Sequence, residues 1–443
     1  MKCFNVWISM ISSLGMNDMS ASLGHSMNVK TRYSILDAKV GDIVSGFLVC
    51  LLVFGLIKPD SLSYIGFAWL DNMLMLVDVV ALFWLLLIIV RRRITISSIM
   101  VSVLCIWLCL AISTALGSRD FLEFVKIAGP ASAACLLTEY MMQRAPRRFL
   151  RVCSLTMATM FTINFITIVL TYPTGLYNPP LIEGDCYFMG YDNGMIYNLI
   201  PMCAYSLLYS LMNAGKLLSL LSVYCISLAI VSVLYVQSVT GILAMAAFVL
   251  LLGLLSRRRH SILLNPIFLI SIFLLLTTLL VVFHIHFFFA DIISQVFGKD
   301  ATLSGRTYLW DYAIQHIRDN PVFGTGATTR SVLGINGHVY AHPHCLILDL
   351  LYKGGIPMFA AFVAMLILFI KGSMKGATSV ARGVIVISAF SLLIVEVASS
   401  GQFKPFFWAI FVLASYEGVI APSSVKDQAA LCAPRMERGY NER

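Results

Sequence analysis

Residues 262–289 read ILLNPIFLISIFLLLTTLLVVFHIHFFF, a run of 28 positions without a single Asp, Glu, Lys or Arg. The hydrocarbon core of a bilayer is crossed by a helix of about 20 apolar residues, so this stretch reads as a membrane span. The same pattern recurs on both sides of it. Apolar runs separated by polar breaks place about twelve spans near 43–58, 73–90, 94–116, 120–140, 152–172, 194–213, 217–235, 238–255, 262–289, 344–370, 383–400 and 405–419. The chain therefore reads as an all-α polytopic membrane protein.

The composition agrees. Of 443 residues, 59% are hydrophobic and only 12% charged, with mean hydropathy +0.87, whereas a soluble domain carries about 25% charged residues. So little charge does not cover a soluble surface, which excludes a soluble enzyme and a disordered chain. The net charge of +9 is a matter of topology. With the N-terminus inside, 22 of the 31 basic residues fall on the cytoplasmic side and seven outside, while Lys126 and Lys353 lie within spans; cytoplasmic loops are expected to hold that excess. Both termini are then cytoplasmic, and no nucleic-acid partner is implied. The first seventeen residues hold one Lys and a broken apolar stretch and make a poor signal peptide. Eleven cysteines, mostly inside apolar runs and without a CxxC pair, read as small core hydrophobes rather than a disulfide or zinc framework.

The expected plan is a cytoplasmic or interfacial segment 1–42, transmembrane helices 1–9 over 43–289, an extracytoplasmic loop over 290–343, helices 10–12 over 344–420 and a cytoplasmic tail 421–443. The loop between spans 9 and 10 is far longer than ordinary connections, which marks it as functional. Within it Leu309, Ala313 and Ile317 share one helical face with Trp310 and Ile314 beside them, opposite Asp311, Gln315 and Arg318. That predicts an amphipathic helix at the membrane surface. A second outer segment runs over 173–193.

The outer residues suggest phosphate chemistry. Arg306, Arg318 and Arg330 lie on the long loop and Arg119 on another outer turn; guanidinium is permanently charged and its planar fork matches phosphate oxygens. Anchoring to headgroups, or pairing with Asp311 or Asp319, is the structural alternative. His338, His342 and His344 cluster where the loop re-enters the bilayer. Imidazole is a natural general base for a hydroxyl nucleophile. A metal site is the competing reading, but no companion carboxylate or Cys array stands at ligand spacing. Inside the spans, Glu123 and Lys126 at i and i+3 are placed to pair, while Asp78, Glu139, Asp349, Lys353 and Glu396 are ionisable groups that would face the interior or form a cation relay.

Two stretches carry a family resemblance. SGRTYLWDYAIQHIRDNPVFGTG (304–326) and HVYAHPHCLILDLLYKGGIP (338–357) resemble the outer-loop motifs of the O-antigen ligase and polymerase family, membrane glycosyltransferases that act on undecaprenyl-diphosphate-linked glycans. His344, Leu348 and Gly355-Ile356-Pro357 keep the family's spacing, while Cys345 stands where its usual Asn would be. CYFMGYDNGMIYNLIP (186–201) is similar to a stretch of capsular and exopolysaccharide polymerases and favours a polymerase.

The resemblance implies metal-independent, cofactor-free glycosyl transfer with inversion at the outer face of the bacterial cytoplasmic membrane. His344 would take the acceptor hydroxyl's proton. Arg306, with Arg119 or Arg330, would hold the diphosphate, and Arg318, His342, Tyr191, Asp192 and Asn193 are further candidates for substrate contact. The implied partners are an undecaprenyl-diphosphate-linked glycan, membrane lipid, and a flippase and chain-length regulator. The alternatives are a ligase that moves the glycan to lipid A core, and a secondary transporter; against the latter, the long loop has no counterpart in the first half of the chain.

Overall fold

A computed structural model describes residues 46–91, 94–117, 121–178, 185–257, 261–285, 287, 305–328, 332–334, 339–374, 379–401 and 403–420. The expected segments 1–42 and 421–443 lie outside the described residues, as do 290–304 and parts of 329–338. One compact unit, Val49–Arg443, holds every element that bears on the site.

The helices are α1 (Gly46–Ile57), α2 (Ala68–Arg91), α3 (Ser98–Gly117), α4 (Phe121–Arg144), α5 (Pro146–Thr171), α6 (Ile196–Ala214), α7 (Leu220–Tyr235), α8 (Val239–Arg257), α9 (Pro266–Thr277, continued by a π turn to Val282), α10 (Arg306–Asp319), α11 (Leu346–Met374), α12 (Val380–Val395) and α13 (Pro405–Leu413). Two antiparallel hairpins join them: β1 (Cys186–Tyr187) with β2 (Gly190–Tyr191), and β3 (Val332–Leu333) with β4 (Val339–Tyr340). Among the described residues, seven helices are long and apolar enough to cross a membrane, and five shorter apolar helices occupy the remaining predicted spans. The protein is an all-α polytopic membrane protein.

Local sequence sets the helix ends. Ser219 and Ser222 form a reciprocal capping box at the start of α7. Asn265 caps α9, with Pro266 at its first position, where the missing N–H is no loss. Gly215 closes α6 in the left-handed conformation.

Burial sorts the helices into layers. α13 is buried along its whole length, and Trp408 makes edge contacts with Trp107 of α3 and Phe362 of α11 at 5.6 and 6.2 Å. α2 is the opposite case: Leu76, Phe83, Trp84 and Leu87 are exposed, and an apolar face of that size is covered by lipid rather than water. The fully buried Glu139 carboxylate is hydrogen-bonded, which offsets part of the cost of burying it. Glu139 accepts from Ser97 and from the Tyr416 hydroxyl.

The span expected at 344–370 is a broken helix. At Gly355 the backbone leaves the helix (φ 65°, ψ −164°), and Pro357 cannot restore the ladder. The freed groups are satisfied by the NPVFGTG stretch of the outer loop. Thr325 N–H donates to Tyr352 O (2.8 Å), Gly326 N–H to Lys353 O (2.9 Å), and Ile356 N–H to Pro321 O (2.9 Å). Ser113 of α3 donates to both Lys353 O (2.6 Å) and Phe323 O, and Ala327 N–H donates to Thr114 Oγ1 (2.9 Å). The loop is thus pinned between α3 and the break in α11.

Candidate functional site

α10 follows the amphipathic pattern, but another helix buries its apolar face. Leu309, Trp310 and Ala313 pack with Cys345, Leu348 and Tyr352 from the first turns of α11, while Tyr308 and Asp311 stay exposed. Gly305, at φ 80°, turns the chain into α10, so Arg306 stands at the first helical position beside the entry to α11.

Arg306 is half-buried. Burial pulls its pKa below the ordinary value, and Tyr191 and Tyr197 are close enough to act in the opposite sense. Among the described residues no carboxylate lies within ion-pair distance of it. Guanidinium remains protonated at any biological pH, so the site holds a cation that its described surroundings do not compensate.

His342 and His344 stand on the short stretch from β4 into α11. Their rings are edge to face, 4.3 Å between centroids, and Tyr340 closes on His344 at 5.9 Å. His344 adopts φ 54°, a left-handed conformation that costs a non-glycine residue about 1 kcal/mol. Burial, then the nearby Arg306, pushes the His344 pKa down to about 3. Burial also holds His342 well below the usual imidazole range, reinforced by His344, Lys353 and Arg306. Both rings are neutral at pH 7. His342 Nδ1 is buried without a hydrogen-bond partner among the described residues.

Cys345 follows directly. Its sulfur receives the backbone N–H groups of Leu348 and Ile347, and Asp349 N–H donates to its carbonyl (2.8 Å). It therefore caps α11, which an Asn at this position would also do.

Tyr191 reaches the site from the β1–β2 hairpin. Asn193 holds it, donating from Nδ2 to the Tyr191 hydroxyl (3.1 Å) while its Oδ1 accepts from Ser238 (2.6 Å). Burial and Asp192 push the Tyr191 hydroxyl up, which keeps it a neutral donor. Asp192 accepts from Asn193 N–H through Oδ1, and its own N–H donates to Asp185 O (3.1 Å).

The structure thus gathers Arg306, His342, His344 and Tyr191, with Asn193 and Asp192 shaping the hairpin. Arg318 is exposed at the far end of α10, about 18 Å along the axis from Arg306 at 1.5 Å per residue. Arg119, Arg330 and His338 lie outside the described residues. Glu123 and Lys126 pair at 3.5 Å, as their spacing suggests. Tyr197 was missed: it is a fully buried residue of α6 that acts on Arg306, and nothing distinguishes it in an apolar run. Glu396, foreseen only as an intramembrane ionisable group, reaches α11 through its carbonyl, which accepts from Leu346 N–H (3.0 Å), and its Oε1 accepts from Gly401 N–H (2.8 Å).

The fold and this site define a polytopic helical membrane protein with a partly buried arginine, uncompensated among the described residues, beside two neutral histidines. Residues 223–363, from α7 into α11, match the family model described as O-antigen ligase. That segment contains Arg306, His342 and His344, and the match bears out the resemblance to the O-antigen ligase and polymerase family. At family level it supports surface-glycan assembly, of which polymerisation and ligation are two forms. Comparison with curated proteins and with solved structures finds no match.

Proposed function

We propose that the protein polymerises undecaprenyl-diphosphate-linked oligosaccharide repeat units into surface polysaccharide (O-antigen, capsule or exopolysaccharide) at the outer face of the bacterial cytoplasmic membrane, with both termini cytoplasmic. The observation that carries the reading is Arg306, a guanidinium without a carboxylate partner among the described residues, next to a histidine whose lone pair is free at neutral pH. A diphosphate supplies the missing negative charge.

The hydroxyl at the non-reducing end of one lipid-linked unit attacks the anomeric carbon of the donor glycan. The new C–O bond forms as the bond to the diphosphate breaks, with inversion. The bonding pair leaves on the diphosphate, where Arg306 stabilises the growing charge, and the proton passes to His344. In the free protein His344 is a weak base, because burial, and after it the Arg306 charge, disfavours its cationic form. A bound diphosphate offsets that charge, so His344 gains basicity when the donor is in place. The Tyr191 hydroxyl is a neutral donor to the same group. Arg119 and Arg330 are further candidates to hold it. A flippase that delivers the lipid-linked units and a chain-length regulator are the expected partners.

The test uses purified protein in lipid with a synthetic undecaprenyl-diphosphate-linked repeat unit and neither metal nor nucleotide. A ladder of longer glycans, lost in folded His344→Ala and Arg306→Ala variants, is the expected result. The description of the matching family favours a second reading, ligation to lipid A core or another acceptor. Donor consumption only when a separate acceptor is supplied would establish that instead.

A further inference from the structure

Tyr191 also lines a cleft of about 200 Å³, together with Lys58, Asp60, Tyr64, Asp71 and Tyr177. Its walls come from the turn after α1, the start of α2 and the segment leading into β1. They are held together closely. Gly190 adopts φ 116°, a conformation that suits glycine, and any side chain there would run into Asp60. Ser61 N–H donates to Phe188 O (3.4 Å).

The charges of this cleft cancel, in contrast to Arg306. Lys58 pairs with Asp71 at 2.6 Å, and Ser63 donates to the other Asp71 oxygen at 2.9 Å. Lys404 reaches Asp60 Oδ2 at 3.2 Å. A second diphosphate or a phospholipid headgroup would find two cations already neutralised. A polyol, whose hydroxyls both donate and accept, fits a wall of alternating ammonium, carboxylate and phenol groups. Tyr64 and Tyr177 stack at 4.9 Å with planes 16° apart, and Tyr64 is still 52% exposed. That is a flat apolar wall of the kind the C–H face of a pyranose lies against.

We propose that this cleft is a saccharide subsite, which holds an uncharged sugar of the glycan whose reacting end lies at Arg306 and His344, with Tyr191 as the wall shared by the two sites. The assignment rests on reading the Arg306 and His344 site as a glycan-transfer centre, and it adds where the sugars bind and by what chemistry.

The probe is a single repeat unit released from the producing cell's surface polysaccharide, free of lipid and diphosphate. Its binding to the full-length protein in lipid nanodiscs is measured by saturation-transfer NMR and calorimetry. Tyr64→Ala and Asp60→Asn are expected to weaken binding about tenfold each, in line with the loss of an aromatic or charged contact. Tyr64→Phe retains affinity, and Arg306→Ala binds the lipid-free saccharide like wild type. Unchanged affinity in Tyr64→Ala, or no binding to wild type at millimolar saccharide, overturns the proposal. The two readings separate cleanly. Tyr64-dependent binding without any transfer from a lipid-diphosphate donor removes the transfer reading alone. Transfer with donor and acceptor KM both unmoved in Tyr64→Ala removes the cleft alone.

Discussion

The imidazole of His342 stands edge-on to that of His344, with centroids 4.3 Å apart and planes at 72°. Burial opposes protonation of either ring, and the charge of Arg306 adds to it, so both stay neutral. For the proposed reaction, kcat/KM, which reports the free enzyme, should show no acid limb near pH 6.5, the ordinary imidazole value. The limb in kcat, which reports the loaded enzyme, should lie at higher pH, because the diphosphate offsets Arg306. A limb at the ordinary imidazole pKa in both profiles would sink the assignment.

The same shift has a stability sign. Between the folded value of about 3 and the ordinary 6.5 of His344, the unfolded chain binds a proton that the folded chain refuses. Stability therefore falls as pH drops through that window. Thermal melts at pH 7 and pH 4.5 should show a smaller loss for His342→Phe and His344→Gln than for wild type.

Arg306 is partly buried and uncompensated among the described residues, so its presence costs stability, while in the proposed reaction it stabilises the charge on the leaving group. Arg306→Ala is expected to lower kcat by about 100-fold or more, the usual loss for one electrostatic contact to a developing anion, with a melting temperature equal to or above wild type. Arg306→Lys, which lacks the planar fork, should recover only part of the rate. A variant that loses activity together with folding would assign Arg306 a structural role instead.

Gly326 adopts φ 78°, and an added Cβ would lie 2.9 Å from the Thr114 backbone. Gly326→Ala should cost about 1–3 kcal/mol from the left-handed strain alone, and displacement from α3 adds to that. Limited proteolysis of the loop and single-turnover transfer are the measurements. Protection and rate both equal to wild type would show that the clamp does not hold the loop.

Cys345 caps α11 through its sulfur. Cys345→Asn supplies a stronger cap of similar size and should keep both fold and activity, while Cys345→Ala should lose less than an oxygen N-cap contributes, about 0.5–2 kcal/mol, because sulfur is a weak acceptor. Melting temperatures of the two variants decide it. Activity abolished in Cys345→Asn would mean that the thiol itself takes part in the chemistry.

The spans were legible because a bilayer imposes one coarse rule, and each of the twelve apolar runs contains an observed helix. The buried face of α10 was legible too, since Leu309, Trp310 and Ala313 follow helical spacing whatever covers them. Its cover was not: the partners at Cys345, Leu348 and Tyr352 lie more than thirty residues on. The break in α11 was hidden for a similar reason. Gly354-Gly355 inside an apolar run is compatible with an unbroken span, and the groups that satisfy the break come from Pro321, Thr325, Gly326 and the distant Ser113. Lys58, Asp60 and Tyr64 gave no signal, because a cleft assembled from three distant turns has no local pattern.

The mutual fit of 320–326 and the opened turn of α11 makes two remote stretches a single transplantable part. A loop grafted alone brings neither the carbonyls that the Thr325 and Gly326 amides meet nor the hydroxyls of Ser113 and Thr114 that seat it. A loop exchange should move 305–326, 344–357 and the end of α3 as one cassette.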